Sequence, residues 1–298
     1  MTLRNQVSKH GNRLFLTSDN KTVSQGGFAA GGPGLARGNK AANVVLPGSP
    51  LSVAIFDDFL GPTVNQVAAY DTGGDFVAYN DDWVPSADWQ MGAQDTGQRL
   101  TKPVVVGGVA RLTSSASSGQ TPITGAMSLH GERNWKANQG GLRMAGRVKI
   151  EALSGSNVFI GLTDTGGGEM PVYDTGSAAA TTLTPAADFV GFLYSGSIAG
   201  ALLSRTAWRC VAGKAGVDQD SASTVTPVAN VYDALEVSVD SSGNAQYFIN
   251  GAYVTTLSNA VTATVGLAPH LGFANTEAAA KYVDADWLNV SADRDTGE

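Results

Sequence analysis

Between Ala234 and Val239 the chain alternates with period two. Leu235, Val237 and Val239 point one way, while Glu236 and Ser238 point the other, the pattern of a strand with one buried face. Asp240-Ser241-Ser242-Gly243-Asn244 follows as a turn, and Ala245–Ile249 reads as the next strand. Asn250-Gly251 then supplies the pair of positive-φ residues that a two-residue hairpin needs, and Ala252–Leu257 returns. These segments predict a three-stranded antiparallel meander.

Turn residues recur at strand spacing through the rest of the chain. They delimit strands at Ser52–Phe56, Val104–Val106, Val109–Thr113, Gly141–Glu151, Asn157–Thr163, Asp188–Tyr194, Ala207–Val211, Leu267–Phe273 and Lys281–Val290. In the last of these, Val283, Ala285 and Trp287 are expected on one face, and Asp284 and Asp286 on an exposed polar face. No amphipathic helix is evident; Asn275–Lys281 has room for one helical turn and no more. The fold class is therefore all-β, an antiparallel jelly-roll β-sandwich.

Residues 1–50 break the pattern. Gln25-Gly26-Gly27, Gly31-Gly32-Pro33-Gly34 and Leu46-Pro47-Gly48-Ser49-Pro50 punctuate a stretch with few apolar residues, which predicts an extended N-terminal arm. The body is then residues 51–298. A further boundary within Ser114–Pro122 is weighed and set aside, since the body length suits one large sandwich.

Charge divides along the same line. Arg4, Lys9, Arg13, Lys21, Arg37 and Lys40 against Asp19 alone give the first 43 residues a net charge of +5, which leaves −12 on the remainder of a chain whose total is −7. A positive arm on an acidic body points to an acidic partner for the arm. Overall, only 15% of residues are charged and 37 are glycine, which suits short strands and tight turns. The single cysteine, Cys210, excludes an intrachain disulfide and is expected to be a buried structural thiol. Met1–Lys21 lacks the apolar stretch of a secretory signal, and no run reaches the roughly 18 apolar residues of a membrane span. Synthesis in a reducing host cytoplasm is expected, with no membrane partner.

The run from Tyr232 to the C-terminus resembles the last strands of the concanavalin A-like lectin/glucanase sandwich. The matching pieces are Leu235–Val239, the turn Asp240–Gly243, the strand Tyr247–Gly251 ending in Asn-Gly, and the final strand Val283–Val290; Phe56-Asp57-Asp58-Phe59 resembles an opening found in such domains. The resemblance implies a concanavalin A-like fold. The layout as a whole resembles bacteriophage virion proteins, which combine a Gly/Ala/Thr-rich sandwich with an N-terminal arm that docks on the particle.

Candidate chemistry is sparse. Glucanases of the family resembled carry E-x-D-x-x-E or a close variant on one strand, and this sequence has none; Glu151 and Glu236 stand without acidic neighbours at that spacing. His10, His130 and His270 have no adjacent acid or nucleophile elbow and no paired Cys/His spacing for zinc, and they are expected in loops or the core. No catalytic residue and no metal ligand is assigned. Calcium stays an option at the oxygen-rich loops Asp71–Asp75, Asn80–Asp82 and Asp218–Asp220. Trp83 and Trp89 are the candidates for a glycan-stacking platform, set against a place in the core or a subunit interface.

The expectation is a non-enzymatic structural protein of a phage virion, a capsid decoration or head-fibre type displayed on the capsid surface. Arg4, Lys9, Arg13 and Lys21 would pair with acidic groups of the major capsid protein or another virion protein, and Leu14, Phe15 and Leu16 would add a strand to a partner's sheet. The body is expected to be a homo-oligomer, with a trimer among the options. The alternatives are a carbohydrate-binding module of a tail or head fibre contacting host surface glycans, and a glucanase-like hydrolase. The arm has no nucleic-acid-binding motif, so an acidic protein lattice is expected in place of nucleic acid.

Overall fold

The structure, a computed structural model, describes residues 98–101, 108–116, 126–165, 170–171, 186–196 and 207–293. It also describes the backbone of strands at 6–7, 13–16, 22–25, 52–57 and 90–93. The chain divides into two compact units, Met1–Ala54 and Ile55–Glu298.

In the first unit, β1 (Gln6–Val7), β2 (Arg13–Leu16) and β3 (Thr22–Gln25) form an antiparallel sheet with β2 in the middle. In the strand expected at Arg13–Leu16, Arg13 and Leu14 are paired on both sides, while Phe15 and Leu16 pair with β3 alone. Strand β4 (Ser52–Asp57) straddles the boundary between the units.

The second unit is built from two antiparallel sheets. Its remaining strands run in order: β5 (Gln90–Ala93), β6 (Arg99–Thr101), β7 (Ala110–Thr113), β8 (Ala126–His130), β9 (Leu142–Ile150), β10 (Ser156–Thr163) and β11 (Phe189–Ser195). Then come β12 (Arg209–Lys214), β13 (Val217–Ala222), β14 (Tyr232–Val239), β15 (Ala245–Ile249), β16 (Ala252–Leu257), β17 (Ala268–Asn275) and β18 (Tyr282–Asp293). The first sheet has the order β13-β12-β11-β10-β17-β8-β5, and the second β16-β15-β14-β9-β18-β7-β6. Strands adjacent in these sheets are often distant in sequence, as a jelly roll requires.

The predicted meander is β14-β15-β16. Asn250 and Gly251 have φ of +52° and +80°, and Ile249 pairs with Ala252 across the two-residue turn. Val158, Ile160, Leu162, Phe192 and Phe273 of the first sheet pack against Leu142, Met144, Val148, Leu235, Val237, Tyr247 and Leu288 of the second in one continuous core. Burying each such side chain stabilises the sandwich by about 1.5–3 kcal/mol. Polar ties register the two sheets. The Tyr247 hydroxyl donates to the Val211 carbonyl at 2.7 Å. Asp233 accepts from Trp208 Nε1 and from Asn250 Nδ2, each at 2.9 Å.

Two local expectations change, and two further segments gain a definite structure. Trp287 does not join the core: a bulge between Ala285 and Trp287 leaves Asp286 as the extra residue and inverts the alternation. The core residues of β18 run Val283, Ala285, then Leu288, Val290 and Ala292. Asn275–Lys281 forms no helical turn. Asn275 Nδ2 donates to the carbonyls of Glu277 and Ala279, and its Oδ1 accepts the Glu277 N–H, so a side chain takes the backbone groups a turn of helix would have used. Asp218–Asp220 lies in edge strand β13 and not in a loop, and Asp220 is ion-paired to Arg209. Ala126–His130, not singled out from the sequence, is a strand buried along its whole length.

Candidate functional site

Each sheet has a face turned away from the shared core, and the two faces differ in chemistry. On the second sheet that face carries a charged ladder. Arg111, Asp284, Lys149 and Tyr232 stand opposite one another across β7, β18, β9 and β14. Arg111 grips Asp284 with two hydrogen bonds, Nε to Oδ1 at 2.7 Å and a terminal nitrogen to Oδ2 at 2.9 Å, and Lys149 Nζ lies 2.9 Å from Oδ2. Arg147 pairs with Asp286 at 2.6 Å and Arg143 with Glu236 at 2.5 Å.

Two aromatic rings on this face, those of Tyr232 and Tyr282, are covered by cations. Arg111 sits 3.6 Å from the centre of the Tyr282 ring and Arg147 4.5 Å from that of Tyr232. Burial, with the charges of Asp284 and Asp286 adding to it, pushes the Tyr232 hydroxyl up to about 12. The exposed polar face expected for Asp284 is therefore wrong in one respect: its side chain is only 2% exposed, enclosed by its two cations. Glu236, read as isolated, is held by Arg143, and Glu151 Oε2 accepts the Tyr282 N–H at 3.1 Å.

On the first sheet the outward face combines a buried apolar cluster with buried polar side chains. Phe159, Phe189, Leu193, Val211, Ala274 and Met170 are all buried there in a second cluster. Pairing of β17 with β8 and β10 places Gly161, His270, His130 and Gln90 in one row across the strands. The two imidazoles stack, with ring centres 5.8 Å apart and planes 18° from parallel, and Phe159 lies 6.1 Å from His270 at a tilt. Ser128 Oγ and His130 Nδ1 share a hydrogen bond of 3.0 Å. Burial lowers His130 to about 4, and burial together with its neighbour His130 holds His270 well below the usual imidazole range. Both rings are therefore neutral at pH 7, and the sequence expectation of core histidines holds for both.

This histidine pair was not foreseen as a pair. Residues 130 and 270 lie far apart in sequence, and only the β8–β17 register opposes them. Among the described residues, no group of three or more His, Cys, Asp or Glu side chains is placed to hold a metal ion. Arg4, Lys9, Lys21, Trp83 and Trp89 lie outside the described residues, as do the loops Asp71–Asp75 and Asn80–Asp82. Arg13, Leu14, Phe15 and Leu16 are placed by backbone in β2. Cys210 is buried in the core, and burial pushes its thiol up to about 12, as a structural cysteine requires.

No protein-family model and no curated protein sequence matches the chain. Solved structures do. A Shewanella oneidensis MR-1 protein of unknown function is 11% identical over 85% of this chain and 92% of its own, with a TM-score of 0.52. A Bacillus licheniformis β-glucanase is 13% identical over 80% of this chain and 97% of its own, with a TM-score of 0.46. LamAcat from Zobellia galactanivorans is 11% identical over 79% and 95%, with a TM-score of 0.45. The fold is an all-β, concanavalin A-like sandwich. At these identities the likeness extends to the fold alone.

Proposed function

We propose that the protein is a non-enzymatic structural component of a phage virion, with the sandwich as the displayed bulk and the basic N-terminal unit as the attachment to the shell. The observation that carries this is how the sandwich uses its polar side chains. On the second sheet Asp284, Asp286 and Glu236 are each bound to a cation of the same sheet. A general acid or base has to be within reach of a substrate proton, and a carboxylate held this way serves the ladder. On the first sheet's outward face Asp220 is ion-paired to Arg209 beside an apolar cluster. The positive charge available for a partner is concentrated at the other end of the chain, in Arg4, Lys9, Arg13 and Lys21.

The partner is an acidic surface of a shell protein, repeated on a lattice, so that individually weak contacts sum. The test is co-sedimentation with particles after removal of residues 1–45. Loss of binding with an unchanged circular dichroism signal from the sandwich is expected. Undiminished binding by the truncated protein would show that attachment lies elsewhere.

A further inference from the structure

Asn250-Gly251 is the only Asn-Gly step in the chain. With glycine in second place, no side chain screens the backbone nitrogen that can attack Asn250 Cγ. Both residues are exposed at the tip of the β15–β16 hairpin, and an added Cβ at Gly251 would meet nothing within 4 Å. Water and base reach the step freely. The Asn250 side chain, in contrast, is held at both ends. Its Oδ1 accepts the Ala234 N–H at 2.8 Å, and its Nδ2 donates to Asp233 Oδ1 at 2.9 Å. The Asn250 N–H also donates to the Ala234 carbonyl at 2.7 Å, so backbone and side chain both clasp β14. Asp233 is itself buried, and its Oδ2 accepts from Nε1 of the fully buried Trp208. One amide at the surface thus anchors a buried carboxylate that ties the two sheets.

We propose that Asn250 is a deamidation site that the native fold keeps latched and that reacts when the hairpin opens. In the reaction the Gly251 nitrogen bonds to Asn250 Cγ, the Cγ–Nδ2 bond breaks, and Nδ2 leaves as ammonia with the proton given up by Gly251. Water then opens the resulting succinimide at either carbonyl, leaving aspartate or isoaspartate. To bring Cγ onto the following nitrogen, the side chain must release Ala234 and Asp233, and each such bond shifts an equilibrium by roughly two- to tenfold. The aspartate product puts a carboxylate oxygen where Nδ2 stood, against Asp233 Oδ1. A donor is lost and two like charges face each other, which loosens Asp233 and its hold on Trp208. A chain that has once opened is therefore marked, and it refolds to a weaker sandwich. The site is independent of how the chain attaches to a particle.

The full-length protein is incubated at pH 8.5, folded and in urea, and aspartate and isoaspartate at position 250 are counted by peptide mass spectrometry. The folded protein is expected to react about tenfold or more slowly than the unfolded chain, and folded Asp233→Ala several-fold faster than the folded wild type. Asn250→Asp, which copies the main-chain-neutral product, is expected to have a lower urea midpoint at pH 7.5. That deficit shrinks as pH falls below about 4, where a carboxyl regains a proton to donate. Asn250→Asp decides the matter if Asp233→Ala does not fold. Equal rates in the folded and unfolded wild type, an unchanged rate in folded Asp233→Ala, or a wild-type midpoint in Asn250→Asp overturns the proposal.

Discussion

Gly243 shows how a single residue fixes a turn. Its φ is +84°, and an added Cβ would lie 2.3 Å from the Val261 carbonyl oxygen. Gly251 has a similar φ of +80° but nothing within 4 Å. Gly251→Ala therefore meets only the left-handed backbone cost, about 1–2 kcal/mol, whereas Gly243→Ala adds a collision with the backbone. Urea denaturation should place Gly243→Ala as the less stable variant by more than about 1 kcal/mol. Cys210 gives a second residue-scale prediction. With its thiol raised to about 12 by burial, alkylation of the native protein should not accelerate between pH 7 and pH 10, where an exposed thiol ionises. Acceleration in that window would place the thiol in water. Both glycines were marked in advance by Asp-x-x-Gly and Asn-Gly, because turn chemistry is local. The outward turn of Trp287 was not, because the bulge before it arises from pairing with β9, and nothing within β18 itself announces it.

Among the elements, the strands easiest to foresee were those with one buried face, such as β14, whose burial alternates along its length. Strands β8, β10 and β11 are buried on both faces and so carry no alternation, and β13 at the sheet edge is partly exposed throughout. Periodicity cannot mark such strands; β10 and β11 were found through their turns and β-rich composition. The charged ladder belongs to this scale, since it exists only where β7, β18, β9 and β14 are in register. Asp284 is its centre, shared by Arg111 and Lys149. Asp284→Ala leaves two cations on a crowded face, and the loss should fall between the roughly 1 kcal/mol of an exposed pair and the roughly 3 kcal/mol of a buried one. Equilibrium unfolding measures it. A loss below about 0.5 kcal/mol would mean the ladder is merely solvated surface.

For the whole molecule, composition and turn spacing were enough to reach an all-β sandwich, because those signals are summed over many short strands. The candidate sites were far less visible. The histidine pair comes together from residues 130 and 270, through long-range strand pairing that no local motif encodes. The functional account places attachment and bulk in different parts of the chain, and that division can be tested for sufficiency as well as necessity. Under the proposed function, residues 1–50 fused to an unrelated fluorescent protein should co-sediment with phage particles, saturably and with loss of binding as salt rises, as an electrostatic contact requires. A fusion that stays in the supernatant, while the sandwich lacking residues 1–45 sediments, would contradict the account.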